Sequence, residues 1–447
     1  MNIKISFISL GCDKNLVDSE VMLGLLRDKG YTLINDETEA DVIVVNTCGF
    51  IQDAKEESIG TIIEMGQYKE NGKCKALIVT GCLAQRYQDE LIKEMPEIDA
   101  ILGVSNYDKV IEAVESVLDN KKYVAFEDND HVPEEYINRV ISSTGYSAYL
   151  KIAEGCDNHC TYCIIPKIRG KIKSRTMESL IEETKYLAQN GVKELILVAQ
   201  DTTKYGIDIY GEKKLPALLR ELCRVDGIEW IRLLYCYPEE ITDELIEVMR
   251  DEEKVLNYLD MPIQHANNDI LRRMARKGTK EMITDAISKL RKAIPDICLR
   301  TTLITGFPGE TREQFEDMKE FVQDVRFDRL GVFSYSPEEG TPAALFENQI
   351  DDDIKEARKD EIMALQQGIS KSINEELVGK TYSVIIEGYM PEDRVYCGRT
   401  YRDAPDVDGM IFVSCPYELM SGDIINVRVS SSNEYDLIGE IINEYSE

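Results

Sequence analysis

Three cysteines crowd one short loop of this chain. Cys156, Cys160 and Cys163 fall in Gly155-Cys156-Asp157-Asn158-His159-Cys160-Thr161-Tyr162-Cys163, a C-x3-C-x2-C spacing, directly after a strand-like run at residues 149–153. A fold carrying this loop must gather three thiols at the end of a strand. Thiolates hold iron–sulfur clusters, commonly four per cluster. Three in one tight loop leave one iron open to an external molecule, and loops at the carboxyl ends of barrel strands are where chemistry sits. The rival is a zinc site completed by His159. That histidine lies inside the cysteine loop, which strains it as a fourth ligand to the same ion, and it reads as a solvent-facing residue.

Strand and helix patterns alternate on both sides of this loop. Before it, strands are expected at 3–9, 41–45 and 76–80, with helices at 16–28, 54–68 and 85–95. Short apolar strands separated by helices indicate a parallel sheet covered on both faces, hence an α/β, flavodoxin-like amino-terminal domain. Residues 119–140 are charged, carry Pro133 and read as a linker. After it, strands at 149–153, 195–199, 231–234, 299–305 and 330–333, with helices such as 177–190 and 314–325, suggest a partial (β/α) barrel. Residues 337–353 are irregular, and 354–377 read as one long helix. Beyond Gly379 short alternating strands at 382–387, 410–413, 423–430 and 437–442 suggest a small β-barrel. The expected domains are 1–125, 142–376 and 379–447.

A second cysteine group is dispersed. Cys12, Cys48 and Cys82 each follow an expected strand of the first sheet, and glycine flanks each as Gly11, Gly49 and Gly81. Parallel strands bring their carboxyl ends to one edge, where ligands bind in open α/β sheets. Either the three thiols converge on a second cluster with one iron open, or they are three buried cysteines at loop starts. Cys74, Cys223, Cys236, Cys298, Cys397 and Cys415 lack ligand spacing and read as structural. Lys167, Arg169, Lys171, Lys173 and Arg175 fall on alternate residues, which an extended segment would place on one face. They would then orient an acidic substrate group or be solvated.

The formal charge is −31, from 52 basic and 83 acidic residues. That balance opposes nonspecific nucleic-acid binding, which needs cations to displace phosphate counterions. It suits a basic partner and also keeps a chain soluble. No run approaches a membrane span. No basic segment precedes the first strand, so no signal peptide is expected. Twelve cysteines in such a chain point to a cytoplasmic protein whose thiols bind metal or fill the core.

The pattern C-x3-C-x-aromatic-C, with Tyr162 as the aromatic residue, resembles the signature of the radical S-adenosylmethionine (SAM) superfamily. That resemblance implies a [4Fe-4S] cluster on Cys156, Cys160 and Cys163 whose open iron chelates the cofactor. One electron then yields methionine and a 5′-deoxyadenosyl radical. With the three-cysteine amino-terminal domain and the terminal β-barrel, the whole chain resembles the methylthiotransferase family. This implies two [4Fe-4S] clusters, the second on Cys12, Cys48 and Cys82 and concerned with sulfur supply, and a terminal substrate-binding TRAM domain. It also implies an electron donor and a sulfur source from outside. Among cofactor contacts, Tyr162 matches the family position whose backbone lies near the adenine. Gln200 ends a barrel strand, and Ile304 and Gly306 fit a late-strand G-x-I-x-G-x-x-E pattern, in which Thr302 replaces the first glycine and the glutamate is displaced to Glu310. Each also reads as a packing or turn residue.

Two branches of that family are known, one acting on an adenosine of transfer RNA and one on an aspartate of the small-subunit ribosomal protein uS12. Several segments resemble the latter: Ser9-Leu10-Gly11-Cys12, Lys14-Asn15-Leu16-Val17-Asp18-Ser19-Glu20, Val45-Asn46-Thr47-Cys48-Gly49-Phe50-Ile51, Gly81-Cys82-Leu83-Ala84-Gln85-Arg86-Tyr87, Val198-Ala199-Gln200-Asp201-Thr202-Thr203, and Phe333 to Thr341. The transfer-RNA branch more often has Gln-Met-Asn after its first cysteine, where this chain has Asp13-Lys14-Asn15. Asp13 departs from the proline expected in the uS12 branch. Charge agrees with a protein substrate: residues 379–447 carry five basic and thirteen acidic side chains, a net of −8, unfavourable for RNA and favourable for a basic protein. The resemblance thus implies methylthiolation of an aspartate β-carbon of uS12, with no stable nucleic-acid binding.

Overall fold

The computed structural model describes residues 3–127, 131 and 137–442. Residues 1–2 and 443–447 of the expected terminal domains, and 128–130 and 132–136 of the expected linker, lie outside the described residues.

The first sheet has six parallel strands, β1 (Lys4–Ser9), β2 (Thr32–Ile34), β3 (Val42–Thr47), β4 (Ala76–Gly81), β5 (Ala100–Leu102) and β6 (Tyr123–Ala125), in the order β2-β1-β3-β4-β5-β6. Every residue of β3 and β4 is buried, because strand alternation feeds two separate cores. Ile43, Val45, Leu77 and Val79 pack with Ile62, Met65 and Leu83 on one face. Val42, Val44, Ala76 and Ile78 pack with Met22, Leu26 and Val114 on the other. The strand order is the flavodoxin order with a sixth strand added. That addition corrects the expected linker, whose first part, Tyr123–Ala125, closes the sheet instead.

The second sheet contains β7 (Ser147–Lys151), β10 (Glu194–Val198), β11 (Trp230–Leu233), β12 (Val255–Asp260), β13 (Cys298–Thr305) and β14 (Arg329–Ser334), all parallel, in the order β14-β13-β12-β11-β10-β7. A two-stranded pair, β8 (Ala153–Glu154) and β9 (Lys173–Ser174), brackets the cysteine loop. The six strands form an open, partial barrel. Outward residues such as Leu150, Leu195, Leu197, Ile231, Leu233, Leu299 and Leu303 join the helices in the largest core. Inward residues Ile196, Val198, Tyr258 and Cys298 form a second, smaller one. Helix Asp352–Glu375 buries Ile362 and Ile369 against the outer core and covers β14, so that edge strand is not left to pair with another chain.

The carboxyl-terminal strands β15 (Thr381–Met390), β16 (Val395–Thr400), β17 (Ile411–Ser414), β18 (Ile424–Ser432) and β19 (Leu437–Ile441) close into a five-stranded barrel, in the order β15-β16-β17-β19-β18. Val384, Ile386, Ile411, Val413, Val427 and Val429 fill it. No described helix is long and apolar enough to cross a membrane.

The loop after β16 plugs the amino-terminal end of the partial barrel. Glu194, at the start of β10, is fully buried between Arg399 at 2.6 Å and Arg232 at 2.9 Å. Beside it, Arg329 pairs with Asp403 at 2.5 Å, and the Tyr258 hydroxyl donates to Asp408 at 2.6 Å. Burial works against the ionised form of Glu194, but the guanidiniums of Arg399 and Arg232 outweigh it and hold the carboxyl down at about 2. A depressed folded-state value means that this stabilisation is present above the ordinary carboxylate range and is lost as pH falls through it toward 2. Glu194→Gln leaves two buried cations short of a counter-charge. It is expected to cost about 3–5 kcal/mol, read as a lowered denaturant midpoint at neutral pH, with the difference from the parent shrinking as the pH is taken below 4.

Candidate active site between two cysteine-bearing edges

The C-x3-C-x2-C loop leaves β8 and is pinned from three sides. The Cys156 amide donates to the Gly170 carbonyl at 3.0 Å. Thr161 donates its amide to Met274 O at 3.0 Å and its hydroxyl to Arg273 O at 2.8 Å, and accepts from the Ala343 amide at 2.9 Å. Asn158 is buried, donating its amide nitrogen to Asp201 at 2.7 Å and accepting from Lys204. Within the Gln200-Asp201-Thr202-Thr203 run, it is Asp201 that holds the cysteine loop through Asn158. The Asn158 backbone N–H points at Cys156 Sγ at 3.4 Å. The neighbouring Cys160 adds to the proton affinity of both Cys156 and Cys163. Burial pushes Cys156 up to about 11 and Cys163 up to about 12, so as free groups they stay protonated until a metal displaces the proton. His159 is exposed. Among the described residues no three His, Cys, Asp or Glu side chains surround a single-ion position.

The expected cofactor residues fall in three environments. Tyr162 and Ile304 come together, packing on one cluster with Ile270, Met274, Phe307, Tyr335 and Ala343. Gln200 donates to Glu154 at 2.9 Å, and its Oε1 is buried without a partner. Gly306 has φ +70°, and a Cβ there would stand 2.3 Å from Lys355 Cγ, so the close passage of helix Asp352–Glu375 requires glycine. Its N–H donates at 3.1 Å to Glu310, the displaced glutamate of the late-strand pattern. Glu310 in turn pairs with Arg358 at 2.5 Å. Sequence reasoning passed over Arg276, whose guanidinium lies 4.1 Å over the Tyr237 ring and donates to Pro262 O at 2.8 Å. Its Nη1 is buried without a partner, beside Tyr162 and Cys160.

The dispersed cysteines converge. Cys12 and Cys48 leave β1 and β3, either side of the point where strand order reverses, and Cys82 opens the helix after β4. A Cβ on Gly11 would lie 2.7 Å from Cys48 Cβ, and one on Gly49 would lie 2.8 Å from Leu83 Cα. These glycines are what lets the loops touch. Asn15 binds all three loops. Its Nδ2 donates to Leu10 O at 3.0 Å and Thr47 O at 2.9 Å, and its Oδ1 faces Cys82 Sγ at 3.7 Å. Burial raises Cys48, and pushes Cys82 up to about 12 against the opposing pull of Arg169.

The two edges face each other. Cys82 and Val104 pack with Ile164 and Ile168, the residues just past Cys163. Lys14, two residues after Cys12, sets its ammonium 3.2 Å from the centre of the Tyr235 ring on the barrel. Arg86 donates to Gly49 O at 2.8 Å and to Glu338 at 2.9 Å, and Lys55 meets Glu338 at 3.1 Å. The expected single face of alternating basic residues does not exist. Ile165–Arg169 is a helix, begun by Pro166 and stopped at Gly170. Lys167 donates to Gly340 O at 2.7 Å, Arg175 pairs with Glu183, and Arg169 is buried.

Comparisons with known proteins follow this division. Residues 4–103 match the uncharacterized protein family UPF0004, residues 150–322 the radical SAM superfamily and residues 378–442 the TRAM domain. The ribosomal protein uS12 methylthiotransferase RimO of Lachnoclostridium phytofermentans is 60% identical over 98% of this chain and 99% of its own length. That of Clostridium botulinum is 54% identical over 99% of each. Among solved structures, the radical S-adenosylmethionine methyltransferase TsrM of Kitasatospora setae superposes with a TM-score of 0.58 at 13% identity, covering 86% of this chain and 81% of TsrM. The cobalamin-dependent radical enzyme OxsB gives 0.53 at 13% identity, covering 80% of this chain and 56% of its own. Likeness at that identity is one of fold.

Proposed function

The chain belongs to the family of RimO, the ribosomal protein uS12 methylthiotransferase and a radical SAM enzyme, and from that premise we propose that it attaches a methylthio group to the β-carbon of an aspartate of uS12. The family implies SAM and a [4Fe-4S] cluster. The residues present fit both: three thiols in a pinned loop, and two buried, unpartnered polar atoms, Gln200 Oε1 and Arg276 Nη1, beside it. Cys156, Cys160 and Cys163 would hold the radical cluster and Cys12, Cys48 and Cys82 a second one. When bound, these groups supply the hydrogen-abstracting 5′-deoxyadenosyl radical, the sulfur and, from a second SAM, the methyl group. The protein's own residues do the rest. Asn158, Thr161 and Lys204 fix the first thiol loop, and Asn15 fixes the other three loops together. Tyr162 and Ile304 shape the cofactor wall, while Gly306 seats the late-strand turn against the long helix.

The observation that carries this reading is that the two cysteine-bearing edges face each other, with Cys82 packed on Ile164 and Ile168. Cys156, Cys160 and Cys163 would thus hold the hydrogen-abstracting chemistry on the edge opposite the one where Cys12, Cys48 and Cys82 would hold the sulfur supply. The functional units are taken as 1–125, 142–376 and 379–447, working in the cytoplasm with an outside electron donor and sulfur source. Acidic residues 379–447 favour a basic protein substrate, and docking buries Arg399 and Arg402 together with Asp403 and Asp408, cation for anion, so that imbalance is kept. Anaerobic reaction with SAM, reductant and either uS12 or transfer RNA, followed by mass spectrometry, tests the substrate. A methylthio gain on a single uS12 aspartate is expected. The same gain on an adenosine, with uS12 unmodified, would overturn the assignment.

A further inference from the structure

Arg169 lies six residues past Cys163 in sequence, and its side chain reaches across to the other cysteine-bearing edge. It ends the five-residue helix that begins two positions after Cys163. Its side chain is 1% exposed. Nη2 faces Cys82 Sγ at 3.5 Å and donates to Asn15 Oδ1, while Nη1 meets Glu154 at 2.8 Å and Asp18 at 3.3 Å. Lys151 bonds the same two carboxylates. The cations Arg169 and Lys151 therefore balance Asp18 and Glu154 before any thiolate is counted. The guanidinium has one face on the carboxylates and the other on sulfur.

We propose that Arg169 is a positioning residue of the second centre: its guanidinium donates to the Cys82 thiolate and thereby raises the reduction potential of the cluster on Cys12, Cys48 and Cys82. This rests on the reading that those three cysteines hold a cluster. Hydrogen bonds to ligand sulfur and local charge are among the settings of an iron–sulfur potential, and groups behind a ligand orient it and tune the metal. Reduction adds negative charge. A fixed cation at hydrogen-bond distance, in a site closed by Ile164, Ile168 and Val104, favours the reduced state more than it would in water. Arginine suits the role because its planar fork serves sulfur, amide and carboxylate at once and does not lose its charge.

The test uses the full chain carrying Cys156→Ala, Cys160→Ala and Cys163→Ala, reconstituted without oxygen so that the second cluster alone gives a signal. Its midpoint is read by potentiometric titration with electron paramagnetic resonance. Adding Arg169→Met is expected to shift the reduction equilibrium about tenfold toward the oxidised form, about 59 mV for one electron. Arg169→Lys should recover part of that shift. Asp18→Asn, which keeps Arg169 but removes one of its counter-charges, should move the midpoint the opposite way. A bound cluster whose midpoint ignores Arg169→Met overturns the proposal and leaves the two-cluster reading standing. If Arg169→Met no longer holds the cluster, Asp18→Asn decides: a positive shift supports the proposal, and a negative or absent shift refutes it. A triple-cysteine variant that binds no iron at all refutes the two-cluster reading itself.

Discussion

Cys156→Ala is expected to abolish formation of 5′-deoxyadenosine from SAM, a loss of at least about 10³-fold, since no side chain supplies the chemistry that the cofactor carries. Nothing else in the loop can replace this thiol. His159 is exposed, Asp157 receives the Ile172 amide at 3.1 Å, and Cys160 and Cys163 would already serve the same cluster. The fold should survive, because main-chain and Asn158 contacts, not the thiols, pin the loop. Iron should fall from about eight to about four per chain if each site holds a four-iron cluster. Anaerobic assays by chromatography, with iron and sulfide analysis, check both numbers. Retained cleavage in a variant lacking that iron would refute the assignment of the radical centre to this loop.

The part of this site readable in the sequence was the part written in short-range spacing. Cys156, Cys160 and Cys163 lie within eight residues, and the dispersed cysteines each follow an apolar strand, so parallel-sheet geometry alone brings them to one edge. Alternation along β13 sets Ile304 on the same face as Cys298 and Arg300, while Leu299 and Leu303 point to the helices. Several strands were not expected from the sequence, among them Thr32–Ile34, Ala100–Leu102, Lys173–Ser174 and three whose surroundings hid them. Val255–Asp260 follows the charged run Asp251-Glu252-Glu253-Lys254, Tyr123–Ala125 sits in a charged stretch, and Val395–Thr400 contains Gly398, which resembles a break. Gly398 is there because a Cβ would lie 2.5 Å from Ile385 O of the paired strand.

Arg169 was hidden for a different reason. Alternating Lys and Arg imitate an extended face, yet Pro166 at the start and Gly170 at the end carried the legible helix signal. No local pattern discloses that a guanidinium is buried when its partners Cys82, Asp18 and Asn15 are 87, 151 and 154 residues away. Long-range charge pairing also set the seat of the terminal barrel. Its acidic total was readable, but which of its arginines turn inward to Glu194 and Asp328 was not.

Cys12→Ala separates the two centres most cleanly. Cys12 is the exposed member of its group and stands just before helix Asp13–Asp28, so its loss leaves the buried bonds of Asn15 and Ser58 in place. The radical loop is untouched, and 5′-deoxyadenosine should still form, within about threefold of the parent rate, because that chemistry is the cofactor's. Methylthiolated product should drop below detection, since the carbon radical would meet no cluster sulfur. Iron should again fall to about four per chain. The two variants are thus expected to lose the same amount of iron and to differ in what remains: cleavage without product for Cys12→Ala, neither for Cys156→Ala. If Cys12→Ala still made product at the parental rate, sulfur would have to reach the substrate carbon by a route that does not pass through this edge of the first sheet.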